Sequence, residues 1–165
     1  MKPTLHIRQA TEQDLPQIVR LLADDTLGSE RESLSSSLPE SYRTAFEAIS
    51  RSPHIELIVG DLGDGLPVAL LQLTITPCIT RQGSWRATLE GVRVASHCRG
   101  MGLGRQLLAY AIARAGDHNC RMVQLTTDKR RPDAKRFYES LGFEATHEGM
   151  KLTILHANES PITQL

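Results

Sequence analysis

The sequence has few cysteines, no net charge and no long apolar run, and each absence excludes a class of protein. Three cysteines are an odd number, and their scattered positions 78, 98 and 120 exclude a disulfide framework and favour reduced thiols in a cytoplasm. The 19 basic and 19 acidic residues cancel, so the chain lacks the basic field of nucleic-acid binders. We therefore expect no nucleic-acid partner.

No apolar run approaches the length of a membrane span, and residues 1–10 lack the apolar segment of a signal peptide. These features predict a soluble, cytoplasmic protein without a membrane partner. Metal-ligand spacing is missing as well, because neither His97-Cys98 nor His118-x-Cys120 has the usual C-x₂-C or H-x₃-H separation. We expect no metal.

The length of 165 residues predicts a single domain over 1–165. We expect an ordered core at about 5–155 and a frayed tail at 156–165, which carries no packing pattern. Apolar periodicity, caps and prolines predict the element order β-α-α-β-β-β-α-β-α-β. Strands are expected at 5–7, 54–60, 68–76, 85–95 and 120–127, and a last strand or pair of strands at 143–155. Helices are expected from 15, 39, 103 and 132, and a loop at 24–37. This order indicates an α+β sandwich, with a mixed, largely antiparallel sheet flanked by helices on both faces.

The segment 89–104 reads as a strand, a glycine loop and the start of a helix. Gly100, Gly102 and Gly104 alternate in the loop, and Arg99 and Arg105 flank it. The first turn of a helix has unpaired N–H groups and a positive dipole end, and glycine lets an oxyanion approach them. The segment therefore predicts a phosphate site, and a plain glycine turn with solvated arginines is the alternative.

Two common phosphate loops do not fit this segment. A nucleoside triphosphate loop requires lysine and a hydroxyl residue after its last glycine, and Gly104 is followed by Arg105 and Gln106. A dinucleotide loop requires a third glycine where Arg105 stands.

The segment resembles instead the acetyl-CoA pyrophosphate loop of the GNAT N-acetyltransferase superfamily, whose pattern [QR]-x-x-G-x-[GA] is met by Arg99, Gly102 and Gly104. A second motif of that superfamily, A-x-x-F-Y-x-x-x-G-F, is matched by Ala134, Phe137, Tyr138, Gly142 and Phe143. The resemblance covers roughly residues 5–155. The run 129–138, K-R-R-P-D-A-K-R-F-Y, is similar to bacterial members that acetylate small amines, aminoalkylphosphonate acetyltransferases among them.

The resemblance implies an acetyl-CoA-dependent N-acetyltransferase that moves an acetyl group to a primary amine of a small molecule. A peptide or protein acceptor, and a non-catalytic acyl-CoA-binding module, stay open as alternatives, as does a homodimer. Arg131 stands where many members have asparagine. The residues that the resemblance places at the cofactor are Val92, Arg93, Val94, Arg99, Gly100, Met101, Gly102, Leu103, Gly104, Arg105, Arg131, Ala134, Phe137 and Tyr138.

Glu90 and Tyr138 are the candidates for proton transfer. An amine with a pKa near 10 must lose a proton before it attacks, and Glu90 on the central strand is placed to accept that proton directly or through water. Strand alternation predicts that Glu90 shares a face with Val92 and Val94. The alternative for Glu90 is a charge pair with Arg86 or Arg93.

Tyr138 resembles the family's tyrosine that protonates the departing thiolate. Its alternative is packing with Phe137 and Leu141. The acidic loop of Asp24, Asp25, Glu30 and Glu32 lies where the family covers its acceptor site, so it would attract a cationic amine or simply be solvated.

Overall fold

The computed structural model of the protein describes residues 2–35 and 37–154. The chain divides into two compact units, Met1–Thr127 and Asp128–Leu165. The expected tail at 156–165 lies outside the described residues, and a single domain over 1–165 stays a prediction.

The first unit contains a five-stranded sheet in the order β1-β2-β3-β4-β5. Three neighbouring pairs are antiparallel, and β4 and β5 are parallel. The predicted mixed, largely antiparallel sheet is therefore confirmed. The strands are β1 His6–Gln9, β2 Ile55–Asp61, β3 Ala69–Pro77, β4 Trp85–Val94 and β5 Cys120–Leu125.

The helices of this unit follow the predicted order, with two short additions. The predicted loop at 24–37 contains α2, and the connection between β3 and β4 contains α4, in which Arg81 and Gln82 have positive φ. The helices are α1 Leu15–Ala23, α2 Thr26–Ser29, α3 Glu40–Arg51, α4 Thr80–Gly83 and α5 Leu103–Asp117.

The core lies on both faces of the sheet. Consecutive residues of a strand point to opposite faces, and both members of the pair Ile58 and Val59 in β2 are fully buried. Leu70 and Leu71 in β3, which pair with them, are buried in the same way. Both faces of the central strands are therefore covered by other elements.

Two ion pairs show which helix covers which face. Glu56, which pairs with Leu73, binds Arg114 of α5 at 2.6 Å, so α5 lies on the face of Leu71 and Leu73. Arg8 of β1 binds Asp14, just before α1, at 2.7 Å, and Arg8 belongs to the opposite face. The hydrogen bond from Arg8 lowers the pKa of Asp14 to about 2. The predicted arrangement of helices on both faces of the sheet is thereby observed.

The second unit contains one helix among its described residues, α6 Pro132–Glu139. Proline starts it, where a missing N–H costs nothing, and Gly142 follows its end with φ 90°. The strand predicted at 143–155 is wrong for 143–154, since no strand occurs there, and Leu155 lies outside the described residues. Alternating Met150, Leu152 and Ile154 are exposed, because alternation indicates a strand only where a neighbouring strand supplies hydrogen bonds.

Candidate functional site

The pairing of the two parallel strands of the first unit stops before β4 ends. The first pair is Trp85 with Cys120, and the last pair is Leu89 with Leu125. Leu125 is the last residue of β5. β4 continues to Val94. The backbone of residues 90–94, which includes the predicted cofactor contacts at Val92 to Val94, thus lies beyond the parallel pairing.

On its other edge, β4 carries a β-bulge. Between the pairs Gln72 with Glu90 and Leu70 with Arg93, β4 has one residue more than β3. Gly91 occupies this bulge with φ 59°, a backbone conformation that favours glycine. Sequence reasoning missed the role of Gly91, although a lone glycine inside a strand pattern is a known signal of a bulge.

The bulge changes the face on which Glu90 lies. Residues that pair across an antiparallel ladder share a face, so Glu90 shares its face with Gln72, Leu70 and Arg93. The prediction that Glu90 faces the same way as Val92 and Val94 is therefore wrong. The extra residue shifts the alternation of the strand by one position.

Glu90 is exposed, and its carboxylate accepts a hydrogen bond from Nε2 of Gln72 at 3.4 Å. The alternative of a charge pair with Arg86 or Arg93 is not what the structure shows, because Glu90 lies in no ion pair within residues 2–35 and 37–154. The carboxylate is open to solvent and to a ligand on this face.

The glycine loop that follows β4 has two residues in the left-handed conformation with open space beside them. Gly100 and Gly102 have φ 79° and 85°, and no atom lies within 4 Å of a Cβ added at either position. Gly102 is the N-cap of α5, and the first backbone bond at this helix end runs from the Gln106 N–H to the Gly102 carbonyl at 3.3 Å. The amides before it point out of the helix end, where no acidic residue precedes Gln106 in the first turn.

The remaining loop residues have different environments. Met101 is 41% exposed, whereas Leu103 is 1% exposed and belongs to the core. Gly104 lies inside the first turn of α5 without a positive φ, and Arg105 is exposed there. Leu103, whose side chain is buried, and Gly104, which has no side chain, can offer an anion only backbone groups.

Arg99 ties the loop to the end of α1. Its Nε donates to the Val94 carbonyl at 3.1 Å, and its Nη2 donates to the Asp24 carbonyl at 2.7 Å. The Asp24 carboxylate accepts from the Ser96 N–H at 2.5 Å and lies 3.7 Å from Arg99. The last residues of β4 are thereby held at a fixed position next to α1.

Arg93 makes a second connection of the same kind. Its Nη1 donates to the Val92 carbonyl at 2.9 Å, and its Nε lies 3.7 Å from the Asp25 carboxylate. Asp25 also caps α2 by accepting from the Gly28 N–H at 2.7 Å. Two of the four arginines that sequence reasoning placed at the cofactor, Arg93 and Arg99, therefore hold backbone groups in position.

These contacts also bear on the acidic loop that was expected to attract a cationic amine. Asp24 and Asp25 are balanced by Arg99 and Arg93, and Glu32 accepts a hydrogen bond from the Tyr42 hydroxyl at 2.6 Å. Three of the four carboxylates of this loop, those of Asp24, Asp25 and Glu32, therefore bind other groups of the protein.

The second unit carries the other predicted site residues on one element. Arg131 is the N-cap of α6, and Ala134, Phe137 and Tyr138 follow within the helix. The half-buried Tyr138 ring lies 5.4 Å from Phe137 and 5.8 Å from Phe143, measured between ring centroids. Tyr138 therefore packs among aromatic rings, and its role as an acid stays a prediction.

A surface cavity of about 430 Å³ lies elsewhere in the first unit and contains none of the predicted site residues. Its charged residues, Arg8 and Asp14, bind each other. Within the described part of the chain, no three ligating side chains of His, Cys, Asp or Glu come together. No helix built from residues 2–35 and 37–154 is long and apolar enough to cross a membrane.

Comparisons with known proteins agree with the motif resemblance. The family model described as the acetyltransferase (GNAT) family matches residues 16–143. A curated relative, the aminoalkylphosphonate N-acetyltransferase of Salmonella typhimurium, is 26% identical over 146 residues, which are 88% of this chain and 88% of that protein.

Two solved structures are similar along nearly the whole chain. A protein of Bacillus halodurans C-125, described as a transcriptional regulator, is 54% identical, with a TM-score of 0.88 over 92% of this chain and 100% of that one. An acetyltransferase candidate from Agrobacterium tumefaciens is 31% identical, with a TM-score of 0.78 over 90% of this chain and 99% of the other.

Proposed function

Because the chain belongs to the acetyltransferase (GNAT) family, we propose that it is an acetyl-CoA-dependent N-acetyltransferase acting on the primary amine of a small molecule. The Salmonella typhimurium relative, by its name, acetylates aminoalkylphosphonates, which are small amines. Transfer is direct, from the thioester to the amine, with no metal in the reaction.

One observation carries this proposal: the pairing of β4 with β5 ends at Leu89, and β4 continues unpaired on that edge towards the glycine loop at the start of α5. Backbone groups of residues 92–94 suit an extended, amide-containing arm, and the amides after Gly102 suit the pyrophosphate at its end. The positive φ of Gly100 and Gly102 and the open space beside them fit a bulky anion. Arg93 and Arg99 keep this backbone in place through the Val92 and Val94 carbonyls.

Glu90 is the proposed base. Its exposed carboxylate lies on β4 next to the bulge, where it accepts the amine proton directly or through one water. Removing the proton exposes the nitrogen lone pair, which attacks the thioester carbonyl. Tyr138 is the proposed acid for the departing thiolate on the strength of the second motif, and Arg131, Ala134 and Phe137 are proposed cofactor contacts on the same ground.

A thiol-release assay with acetyl-CoA tests this function. The panel contains alkylamines, polyamines, aminoglycosides, aminophosphonates and peptides, and we expect turnover of at least one small amine. Turnover of peptides alone would identify a peptide acetyltransferase. Tight binding of acetyl-CoA without turnover of any amine would identify an acyl-CoA-binding module.

A transcriptional role is the second candidate, since the Bacillus halodurans structure is described as a regulator. The balance of 19 basic and 19 acidic residues disfavours it, because DNA binding depends on neutralising phosphates. Salt-dependent binding of duplex DNA in the absence of amine turnover would favour the regulator. A cytoplasmic location and a homodimer stay predictions.

A further inference from the structure

The sheet carries a polar patch on the face where Glu90 lies. The register pairs Gln72 with Glu90, Thr74 with Thr88 and Thr88 with Gln124, so these side chains share one face. Arg86 lies on the same strand face, two residues before Thr88. All members except the exposed Glu90 are half-buried. The polar patch consists of Gln72, Thr74, Arg86, Thr88, Glu90 and Gln124.

Most members of the polar patch are hydrogen-bonded to each other, within β3 or between neighbouring strands. Gln72 donates from Nε2 to Glu90 at 3.4 Å and to Thr74 at 3.5 Å. Gln124 donates from Nε2 to the Thr88 hydroxyl at 3.1 Å. These bonds hold polar groups in fixed positions on a sheet whose opposite face is core, which is how a binding surface is built.

Arg86 differs from the rest of the polar patch. Its Nε is buried without a hydrogen-bond partner, and its guanidinium makes no ion pair within the described residues 2–35 and 37–154. A buried donor without an acceptor is unfavourable, so such groups are uncommon in folded proteins unless a ligand or an ordered water pairs with them. The residue as a whole is half-buried, which leaves part of it open to a ligand.

We propose that Arg86 binds an anionic group of the acceptor, so that the substrate is a small amine that also carries a phosphonate, phosphate or carboxylate. A planar guanidinium pairs with such oxyanions through parallel hydrogen bonds. This inference rests on the proposed function, because it takes Glu90 as the site of the amine. Arg86 and Glu90 are four residues apart on one strand face, about 13 Å between Cα atoms.

The arrangement of charges explains why both ends of such a substrate are recognised. The carboxylate of Glu90 attracts the ammonium end, and Arg86 attracts the anion. Thr88, between them on the strand, offers a hydroxyl whose partner is the neutral Gln124 amide. A neutral amine lacks the second contact, so we expect it to bind more weakly.

The test compares amines of similar length in the thiol-release assay: 2-aminoethylphosphonate, 3-aminopropanoate and 1-aminopropane. The Arg86→Gln variant should raise KM for the anionic amines and lower their kcat/KM by more than tenfold, and leave KM for acetyl-CoA and the turnover of 1-aminopropane unchanged. Arg86→Lys keeps the positive charge but lacks the planar guanidinium, so its kcat/KM for the anionic amines should lie between those of the wild type and Arg86→Gln. Comparison of kcat/KM for 2-aminoethylphosphonate and 3-aminopropanoate shows which oxyanion is preferred.

Arg121→Gln is the matched control. Arg121 is exposed on β5 at the register shift between the pairs Trp85 with Cys120 and Arg86 with Met122, and it is not a member of the polar patch. It should behave as wild type. An equal loss for anionic and neutral amines in a folded Arg86→Gln enzyme, or a wild type without preference for the anionic amines, would overturn the proposal.

A binding measurement separates this proposal from the catalytic one. The NMR signal of the Arg86 Nε–H group is identified by its absence from the spectrum of Arg86→Gln. Addition of 2-aminoethylphosphonate or 3-aminopropanoate should change the chemical shift of this signal. If no amine is acetylated, the proposed function is wrong, and the chemical shift still shows whether Arg86 binds an anion. Absence of any shift with both compounds would overturn the role of Arg86.

Discussion

Replacing Gly102 by valine tests the glycine loop most directly. Gly102 is the N-cap of α5 with φ 85°, and a Cβ there meets no atom within 4 Å. The added Cβ therefore clashes with nothing in the protein, and the main cost to folding is the strain of a left-handed residue, roughly 1–2 kcal/mol. For a chain of this size that lowers Tm by roughly 2–8 °C, so the variant should remain folded.

Gly65 is a matched control for that strain. It lies in the turn between β2 and β3 with φ 78°, and a Cβ there also meets no atom within 4 Å. Gly65→Val and Gly102→Val should therefore lower Tm by similar amounts. Only Gly102→Val puts a side chain beside the first-turn amides of α5, where the pyrophosphate would lie.

We expect Gly102→Val to raise the Kd for acetyl-CoA by more than tenfold, a change of more than about 1.4 kcal/mol, and Gly65→Val to leave it unchanged. Isothermal titration calorimetry measures both affinities, and thermal denaturation measures both Tm values. If the two folded variants bind acetyl-CoA equally well, the loop is not the phosphate site and the assignment of the cofactor to this helix end is wrong.

Three further predictions concern proton transfer and pH. Tyr138→Phe should lower kcat by roughly 10²- to 10⁴-fold with little change in acetyl-CoA affinity, and wild-type turnover would leave solvent as the acid. Glu90→Gln should lower kcat/KM for the amine, with part of the loss recovered at high pH, whereas a pH-independent loss would indicate substrate positioning. Because the pKa of Asp14 is about 2 instead of 3.8, its pair with Arg8 stabilises the fold above about pH 4 and loses this effect as the pH falls towards 2. Asp14→Asn should thus lower the free energy of unfolding by at most about 2 kcal/mol at pH 7, because Arg8 is 38% exposed, and by much less near pH 2. Denaturant titrations that show an equal loss at both pH values would refute this linkage.

Local patterns predicted most of the elements. The hairpin between β2 and β3 follows from D-L-G-D-G-L-P, in which Gly63 and Gly65 have positive φ and the Asp61 carboxylate accepts from the Gly63 N–H. The order of strand, glycine loop and helix around Gly102 was likewise predicted, because caps and turns depend on residues close in sequence. The strand expected at 143–155 shows the limit of such patterns, since a strand also depends on its neighbour.

The sequence by itself determined the family, the mixed sheet and the position of the glycine loop, because periodicity, turns and short motifs are local properties of the chain. Only the tertiary structure decided how the side chains of the site are used. The bulge at Gly91 turns Glu90 to the face of Arg93, and the contact of Asp24 with Ser96 joins residues 72 positions apart. Such contacts depend on strand register and on which helix covers which face, and both are set by packing of the whole unit, which no local pattern contains.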